Sequence, residues 1–207
     1  KSNTDLNFIE VNEKIDKVLS SLPKEVEILK TEKKKELKHA PLLYNLAELQ
    51  NECSKMFKIS PDETLRIVQE LYEKKLVTYP RTDARVLSTA VSKEIYKNIN
   101  GLRNYPHVAA FAQEVLEMGS YKKIVSTKYV NDKQITDHYA IIPTGQGLSA
   151  LKSVSATAEK VYETIVRRFL SIFYPPAEYQ KVGLNILADK EQFFSNFKIL
   201  VNEGYLK

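Results

Sequence analysis

The residues whose types and spacing could do chemistry lie in one run, Thr78-Tyr79-Pro80-Arg81-Thr82-Asp83. Proline disfavours helical backbone in the residue before it, so Tyr79 is expected to be extended. On an extended chain the side chains at i and i+2 share a side, which would present the Tyr79 phenol together with the Arg81 guanidinium. A phenol ionises near pH ~10 and is a poor nucleophile at neutral pH. A permanent cation beside it favours the phenolate and can also neutralise a phosphodiester under attack. The spacing therefore suits a tyrosine that attacks a phosphate. On residue chemistry alone, Tyr-Pro-Arg is more often a strand end carrying a surface arginine.

Composition narrows what can surround that run. The chain has 207 residues, 43% of them hydrophobic and 28% charged, which suits a folded protein with a real core. Its net charge of +5 is mild and allows an anionic partner without requiring one. The single cysteine, Cys53, rules out an internal disulfide and a cysteine-clustered metal site. Six glycines and no GxxxxGK or GxGxxG spacing argue against a nucleotide-cradling loop. No apolar run has the roughly 18 residues that a membrane span needs, and no signal peptide opens the chain. A cytoplasmic location is the default expectation. The chain begins with Lys1 rather than Met, which suggests a piece of something longer.

The elements that must position Tyr79 show in the apolar periodicity. Asn12 could cap a helix with Ile15, Val18, Leu19 and Leu22 on one face, stopped by Pro23. Val26 and Ile28 alternate with glutamates as a short strand, running out into a lysine-rich solvated extension or linker over 30–38. From Pro41 to about residue 120 the pattern is mainly helical. Leu46, Leu49, Cys53 and Met56 form one stripe, which makes Cys53 a buried structural thiol. Ser60, Pro61 and Glu63 open the next helix as a capping box, with Leu65, Val68, Leu71 and Tyr72 as its buried face. Leu76 to Tyr79 is β-prone and ends at Pro80. Ser88 is a candidate cap for a helix carrying Val91, Ile95 and Ile99. Val108, Phe111, Val115 and Met118 mark another, and Thr157 a later one with Val161, Ile165, Phe169 and Ile172 inward. Period-2 stretches at Val182, Leu184, Ile186 and at Phe197, Ile199, Val201 read as an antiparallel pair, with the strand near 25–30 as companion. The expected fold is α+β: a β-rich domain from 1–40 and 150–207, with a mainly helical domain, 41–149, inserted into it.

Two segments then carry a resemblance. Leu71-Tyr72-Glu73 through Thr78-Tyr79-Pro80-Arg81-Thr82-Asp83 closely resembles the active-site signature of type IA DNA topoisomerases, whose tyrosine becomes joined to a DNA 5′ phosphate. Asp137-His138-Tyr139-Ala140-Ile141-Ile142-Pro143-Thr144, about sixty residues on, is similar to the family's H-x-A-I-x-P-T motif. Leu46 to Gln50 and Tyr162 to Phe169 add supporting matches, so the likeness spans nearly the whole chain. Ala84-Arg85 after Asp83, and Ile141-Ile142 in the second motif, resemble the bacterial topoisomerase III-like branch.

Carried over by position, the resemblance implies Tyr79 as nucleophile, Arg81 on the scissile phosphate and His138 as a phosphate contact in the same pocket. Thr82, Asp83 and Thr144 are expected to shape turns, and His39 and His107 match nothing. The family's Toprim domain holds Mg²⁺ in an Asp-x-Asp-x-Glu cluster; this chain has no Asp-x-Asp, so Mg²⁺ is expected outside it. The implied partners are DNA, single-stranded at the cleavage site, and the Toprim and gate domains of the same polypeptide, with no membrane. The implied arrangement is the arch of such an enzyme, bacterial, cytoplasmic and nucleoid-associated. From Lys74 to Arg103, seven cations stand against Asp83 and Glu94, an excess equal to that of the whole chain. Lys75 and Arg85 are the members of that run expected on DNA. Two rival readings remain. A tyrosine recombinase would need His-x-x-Arg, which none of the three histidines begins. A noncatalytic nucleic-acid-binding module with a decayed site is opposed by the intact Tyr79 and Arg81.

Overall fold

The computed structural model describes residues 13–14, 16–17, 20, 26–188 and 190–207. Glu13, Lys14, Asp16, Lys17 and Ser20 have helical backbone. The expected cap and apolar face of that helix, Asn12, Ile15, Val18, Leu19 and Leu22, lie outside the described residues. The protein is α+β and divides into two compact units, residues 1–38 with 178–202 and residues 39–177 with 203–207. This moves the expected boundary. The segment 150–177 belongs with the helices, because the helix it carries buries Val161, Tyr162, Ile165 and Phe169 in the same core as Leu49, Ile67 and Leu71.

The smaller unit holds a three-stranded sheet in the order β1 (Glu27–Lys38), β2 (Ala177–Ala188), β3 (Glu191–Asn202). β2 and β3 pair antiparallel as expected, with Val182 opposite Phe197 and Ile186 opposite Phe193. β1 is longer than its apolar alternation suggests, since the lysine-rich extension continues as strand to Lys38. Its charges are matched across the sheet. Glu36 pairs with Lys181 and, at 2.6 Å, with Lys198, which together hold its carboxyl below the usual range. Lys35 meets Glu178 at 2.8 Å.

The larger unit is built on α1 (Leu46–Phe57), α2 (Pro61–Glu73), α3 (Thr89–Leu102), α4 (Ala109–Met118) and α5 (Ala156–Ser171). Each of α1, α2, α3 and α5 starts at a polar side chain that accepts an otherwise unpaired N–H: Asn45 from Glu48, Ser60 from Glu63, Ser88 from Val91 and Ser155 from Ala158. The α5 cap is therefore Ser155 and not Thr157. The capping box at α2 is only half made, because the Glu63 carboxylate turns to Arg66 at 2.6 Å. Helix faces are also rotated slightly from expectation. α2 buries Thr64, Ile67, Val68 and Leu71, leaving Tyr72 partly exposed, and Met56 and Met118 lie outside the core. Gly101 explains a close crossing: a Cβ there would stand 2.0 Å from the Gly145 carbonyl oxygen, so the loop 143–147 can rest on α3 only against glycine. No helix among the described residues is long and apolar enough to cross a membrane.

Burial leaves a pH signature in this unit. Cys53 is fully buried and its thiol is pushed from 9.0 up to about 11; burial likewise moves Tyr105 and Tyr129 from 10.0 up to about 12. The unfolded chain therefore releases protons that the folded chain retains. The stabilisation is complete below about pH 9 and is lost as pH rises through the folded values. Urea midpoints measured from about pH 8 to 11 should fall steadily, and Cys53→Ala should flatten the first part of that fall. A midpoint that holds constant or rises over this range would contradict the burial argument.

Candidate active site

Tyr79 was expected to be extended; it lies between bends at Thr78 and Pro80, on a segment that is not a strand of the sheet. Leu76 to Pro80 makes a single bridge, Val77 with Pro143, because proline supplies no N–H to continue a ladder. Threonines substitute for the missing backbone pairs. The Thr78 N–H donates to the Ile142 carbonyl at 3.0 Å, while its hydroxyl donates to the Ala140 carbonyl and accepts from the Ile142 N–H. The Thr82 hydroxyl donates to the His138 carbonyl at 2.9 Å and accepts from the Ala84 N–H. The Thr144 hydroxyl donates to the Lys75 carbonyl at 2.6 Å, and its N–H to the Leu76 carbonyl. The two motif segments are thus laced together antiparallel, from Thr144 against Lys75 to Thr82 against His138. On the far side, Ile141 N–H donates to Tyr44, and Asn45 both caps α1 and donates to the Asp83 carbonyl.

The entry to this segment is a tight turn at the end of α2. Lys75 has φ 60°, a left-handed conformation that costs a non-glycine residue about 1 kcal/mol. It is held there by bonds from the Lys75 N–H to Tyr72 and from the Leu76 N–H to Leu71. Gly147 lies against the same turn, where a Cβ would be 2.9 Å from the Lys74 carbonyl oxygen.

This lacing brings together two of the predicted site residues. The ring centroids of Tyr79 and His138 are 4.3 Å apart, with planes tilted by 39°. A third ring joins them: Tyr72 meets Tyr79 edge-on, with centroids 5.4 Å apart. Tyr72, expected on the buried face of α2, instead lies one step around the helix from the buried Leu71 and is partly exposed. Tyr79 is half-buried, while His138 and Arg81 are exposed. Arg81 makes no hydrogen bond or ion pair among the described residues, so its guanidinium has no competing protein anion. The extended alternation expected through Arg81 is interrupted. The Thr82 N–H donates back to the Pro80 carbonyl at 3.0 Å, a γ-turn centred on Arg81.

The other two predicted contacts have different surroundings. The Lys75 side chain is exposed. Arg85 is half-buried and already occupied, donating to the Leu43 carbonyl at 3.1 Å and facing Glu48 at 3.5 Å. Among the described residues no group of three or more His, Cys, Asp or Glu side chains comes together to hold a metal ion. The described residues therefore do not fit Mg²⁺.

Residues 2–207 match the family model described as DNA topoisomerase. The chain belongs to the DNA topoisomerase family. It is 38% identical to the DNA topoisomerase 3 of Bacillus licheniformis over 181 residues, covering 87% of this chain and 24% of that protein. The DNA topoisomerase 3 of Bacillus subtilis is 39% identical over 181 residues, with 86% and 24% covered. That of Bacillus cereus is 34% identical over 198 residues, with 93% and 26% covered. This member of the family thus spans about a quarter of the length of these relatives, which are bacterial topoisomerase 3 proteins as the resemblance implied. Its fold is similar to full-length topoisomerase I from Thermotoga maritima, with a TM-score of 0.64 at 21% identity, covering 93% of this chain and 30% of that one.

The lacing makes a quantitative prediction. Thr78→Val keeps the shape of the side chain but leaves the Ile142 N–H and the Ala140 carbonyl without the hydroxyl. It should lower the unfolding free energy by about 1–3 kcal/mol, whereas Thr78→Ser, which keeps the hydroxyl, should recover most of the loss. Equal stability of the valine variant and the parent chain in urea would show that the hydroxyl is not holding the segments together.

Proposed function

We propose that this chain is the nucleophile-bearing part of a type IA DNA topoisomerase, acting on single-stranded DNA through Tyr79. The observation that carries the reading is the Tyr79–His138 ring contact, made by two motif segments that threonine hydroxyls lock in register. Membership of the DNA topoisomerase family supports it. In the proposed step the Tyr79 phenol gives up its proton to solvent water and its oxygen attacks a backbone phosphorus. The bond from phosphorus to the 3′ oxygen breaks, and that oxygen takes up a proton from water to leave as a 3′-hydroxyl. The 5′ phosphate remains on Tyr79 as a phosphodiester. Reversal, with the 3′-hydroxyl attacking and the phenol leaving, reseals the strand after another has passed. The bond energy is conserved in the phosphotyrosine, so the cycle calls for no ATP.

The residues divide the work by their exposure. Half-burial against Tyr72 and His138 fixes the direction of the Tyr79 ring, which lowers the entropy cost of attack. Arg81 and His138, both exposed, contact the phosphate and offset the charge that grows on it. Lys75, exposed on the turn before the Tyr79 segment, adds a backbone phosphate contact. The existing bonds of Arg85 to Leu43 and Glu48 suit it better to holding the 81–85 segment on α1 than to reaching DNA. Mg²⁺ and the acidic cluster that binds it belong in this reading to a Toprim domain elsewhere in the polypeptide, as do the domains that close the gate. The helical unit would be an insertion in the β-rich unit, forming the arch, and the parent would work in the bacterial cytoplasm on nucleoid DNA.

The test joins these 207 residues to the remaining domains of a bacterial topoisomerase 3, with Mg²⁺ and end-labelled single-stranded DNA. A denaturant-resistant protein–DNA adduct is expected, lost in Tyr79→Phe. Arg81→Gln is expected to slow its formation by on the order of 10²-fold. The chain without the other domains should form next to none. An adduct that persists in Tyr79→Phe contradicts the assignment of the nucleophile, and no adduct from the joined protein favours a noncatalytic nucleic-acid-binding module.

A further inference from the structure

The excess of positive charge between Lys74 and Arg103 is not all spent at Tyr79. Lys93, Tyr96, Asn100 and Arg103 recur at steps of three and four along α3 and so form one row on its surface. Tyr96 is 47% exposed, high for an aromatic side chain, and Lys93 and Arg103 are exposed beside it. Among the described residues the Arg103 guanidinium bonds only the neutral Asn100, at 3.2 Å. A second ring abuts the row from the 3₁₀ segment Ser120–Ser126, where Tyr121 stands 5.7 Å from Tyr96 between centroids, with planes at 45°. The Lys122 ammonium lies 5.9 Å from the Tyr121 ring.

Two carboxylates of this part of the unit are already bound. Asp132 accepts from the Thr89 N–H and hydroxyl at the start of α3. Glu94 pairs with Lys97 on another flank of the helix. The row is also separate from the Tyr79 segment. Asn98 donates to the Pro143 carbonyl and Gly101 carries the Gly145 loop. At about 100° per residue these two lie roughly 150° around α3 from the centre of the row. The row from Lys93 to Arg103 rises about 15 Å along the helix axis.

We infer that this strip is a second nucleic-acid contact, which takes a segment of single-stranded DNA away from Tyr79. The exposed Tyr96 ring and the half-buried Tyr121 ring tilted against it give unpaired bases a stacking surface, which a duplex, with its bases already stacked, does not need. Lys93, Arg103 and Lys122 supply cations for the phosphates on either side of the rings. Aromatic rings interleaved with unopposed cations are the arrangement that binds single strands without regard to sequence. An acidic protein would use the cations and leave the rings idle. The inference rests on charge and ring exposure and does not depend on the nucleophile assignment, since its readout is binding rather than cleavage.

The test uses the 207-residue chain, a fluorescein-labelled 15-residue oligothymidylate, a duplex of equal length and polyglutamate as competitor. Anisotropy titrations should show tighter binding of the single strand than of the duplex, and weaker binding by about fivefold or more in each of Tyr96→Ala and Tyr121→Ala. Lys93→Gln and Lys122→Gln should each reduce the slope of log affinity against log salt by about 0.7. Urea midpoints of the two tyrosine variants check that the fold is intact. Photocrosslinking with bromodeoxyuridine in the oligonucleotide should label Tyr96 or Tyr121. Unchanged affinity in both tyrosine variants, crosslinks confined to Tyr72, Tyr79 and His138, or duplex or polyglutamate bound as well as the single strand would each overturn the inference. If the strip binds while the joined enzyme forms no adduct, this inference stands and the nucleophile assignment fails.

Discussion

Everything at the candidate site depends on three threonine hydroxyls. Leu76 to Thr82 and His138 to Thr144 run side by side but cannot form an ordinary ladder, because Pro80 and Pro143 remove two of the N–H groups it would use. Thr78, Thr82 and Thr144 restore the connection by bonding to carbonyls across the gap. A hydroxyl both donates and accepts, so Thr78 can serve the Ala140 carbonyl and the Ile142 N–H at once. The register this imposes places the Tyr79 ring against His138. A slip of one residue would send alternate side chains to the other side and separate the two rings.

The lacing is itself anchored at both ends by the helical unit. At one end the left-handed turn at Lys75 and the bare backbone of Gly147 deliver the chain from α2 into the Tyr79 segment. At the other, Asn45 ties Asp83 to the cap of α1, and Arg85 adds Leu43 and Glu48. Arg81 lies between these anchors on a γ-turn, exposed and with no ion pair among the described residues. The arrangement keeps rigid what must be aimed and leaves a cation free for an anion. Charge elsewhere in the chain is treated differently. The lysines and glutamates of the sheet neutralise one another across strands, whereas Lys93 and Arg103 of the row on α3 have no carboxylate partner among the described residues.

Much of this was legible from local patterns. Ser60 and Ser88 announced their helices by type and position, and alternation at Val182 to Ile186 and at Phe197 to Val201 announced the paired strands. Cys53 was placed in the core by the stripe it shares with Leu49. What misled were choices that neighbouring residues do not settle. Ser155 and Thr157 are equally good caps, and the fit of α5 into the core decides for Ser155. Leu65 and Tyr72 compete with Thr64 and Ile67 for the buried face of α2, and packing against α1 and α5 decides for the latter pair. The lacing was the least visible. Its bonds join residues about sixty apart, and threonine in a β-prone stretch reads as ordinary propensity until its partner is known.

The central claim, that these bonds lock the two motif segments into one register, is tested most directly by amide hydrogen exchange on the intact chain. The N–H groups of Thr78, Ile142 and Thr144 should exchange slowly and together, with protection approaching that of core amides in α2 and α5. Exchange of these three amides at the rate of exposed loops, while the helices stay protected, would show that the segments are not held and that the Tyr79–His138 contact is not a fixed feature of the fold.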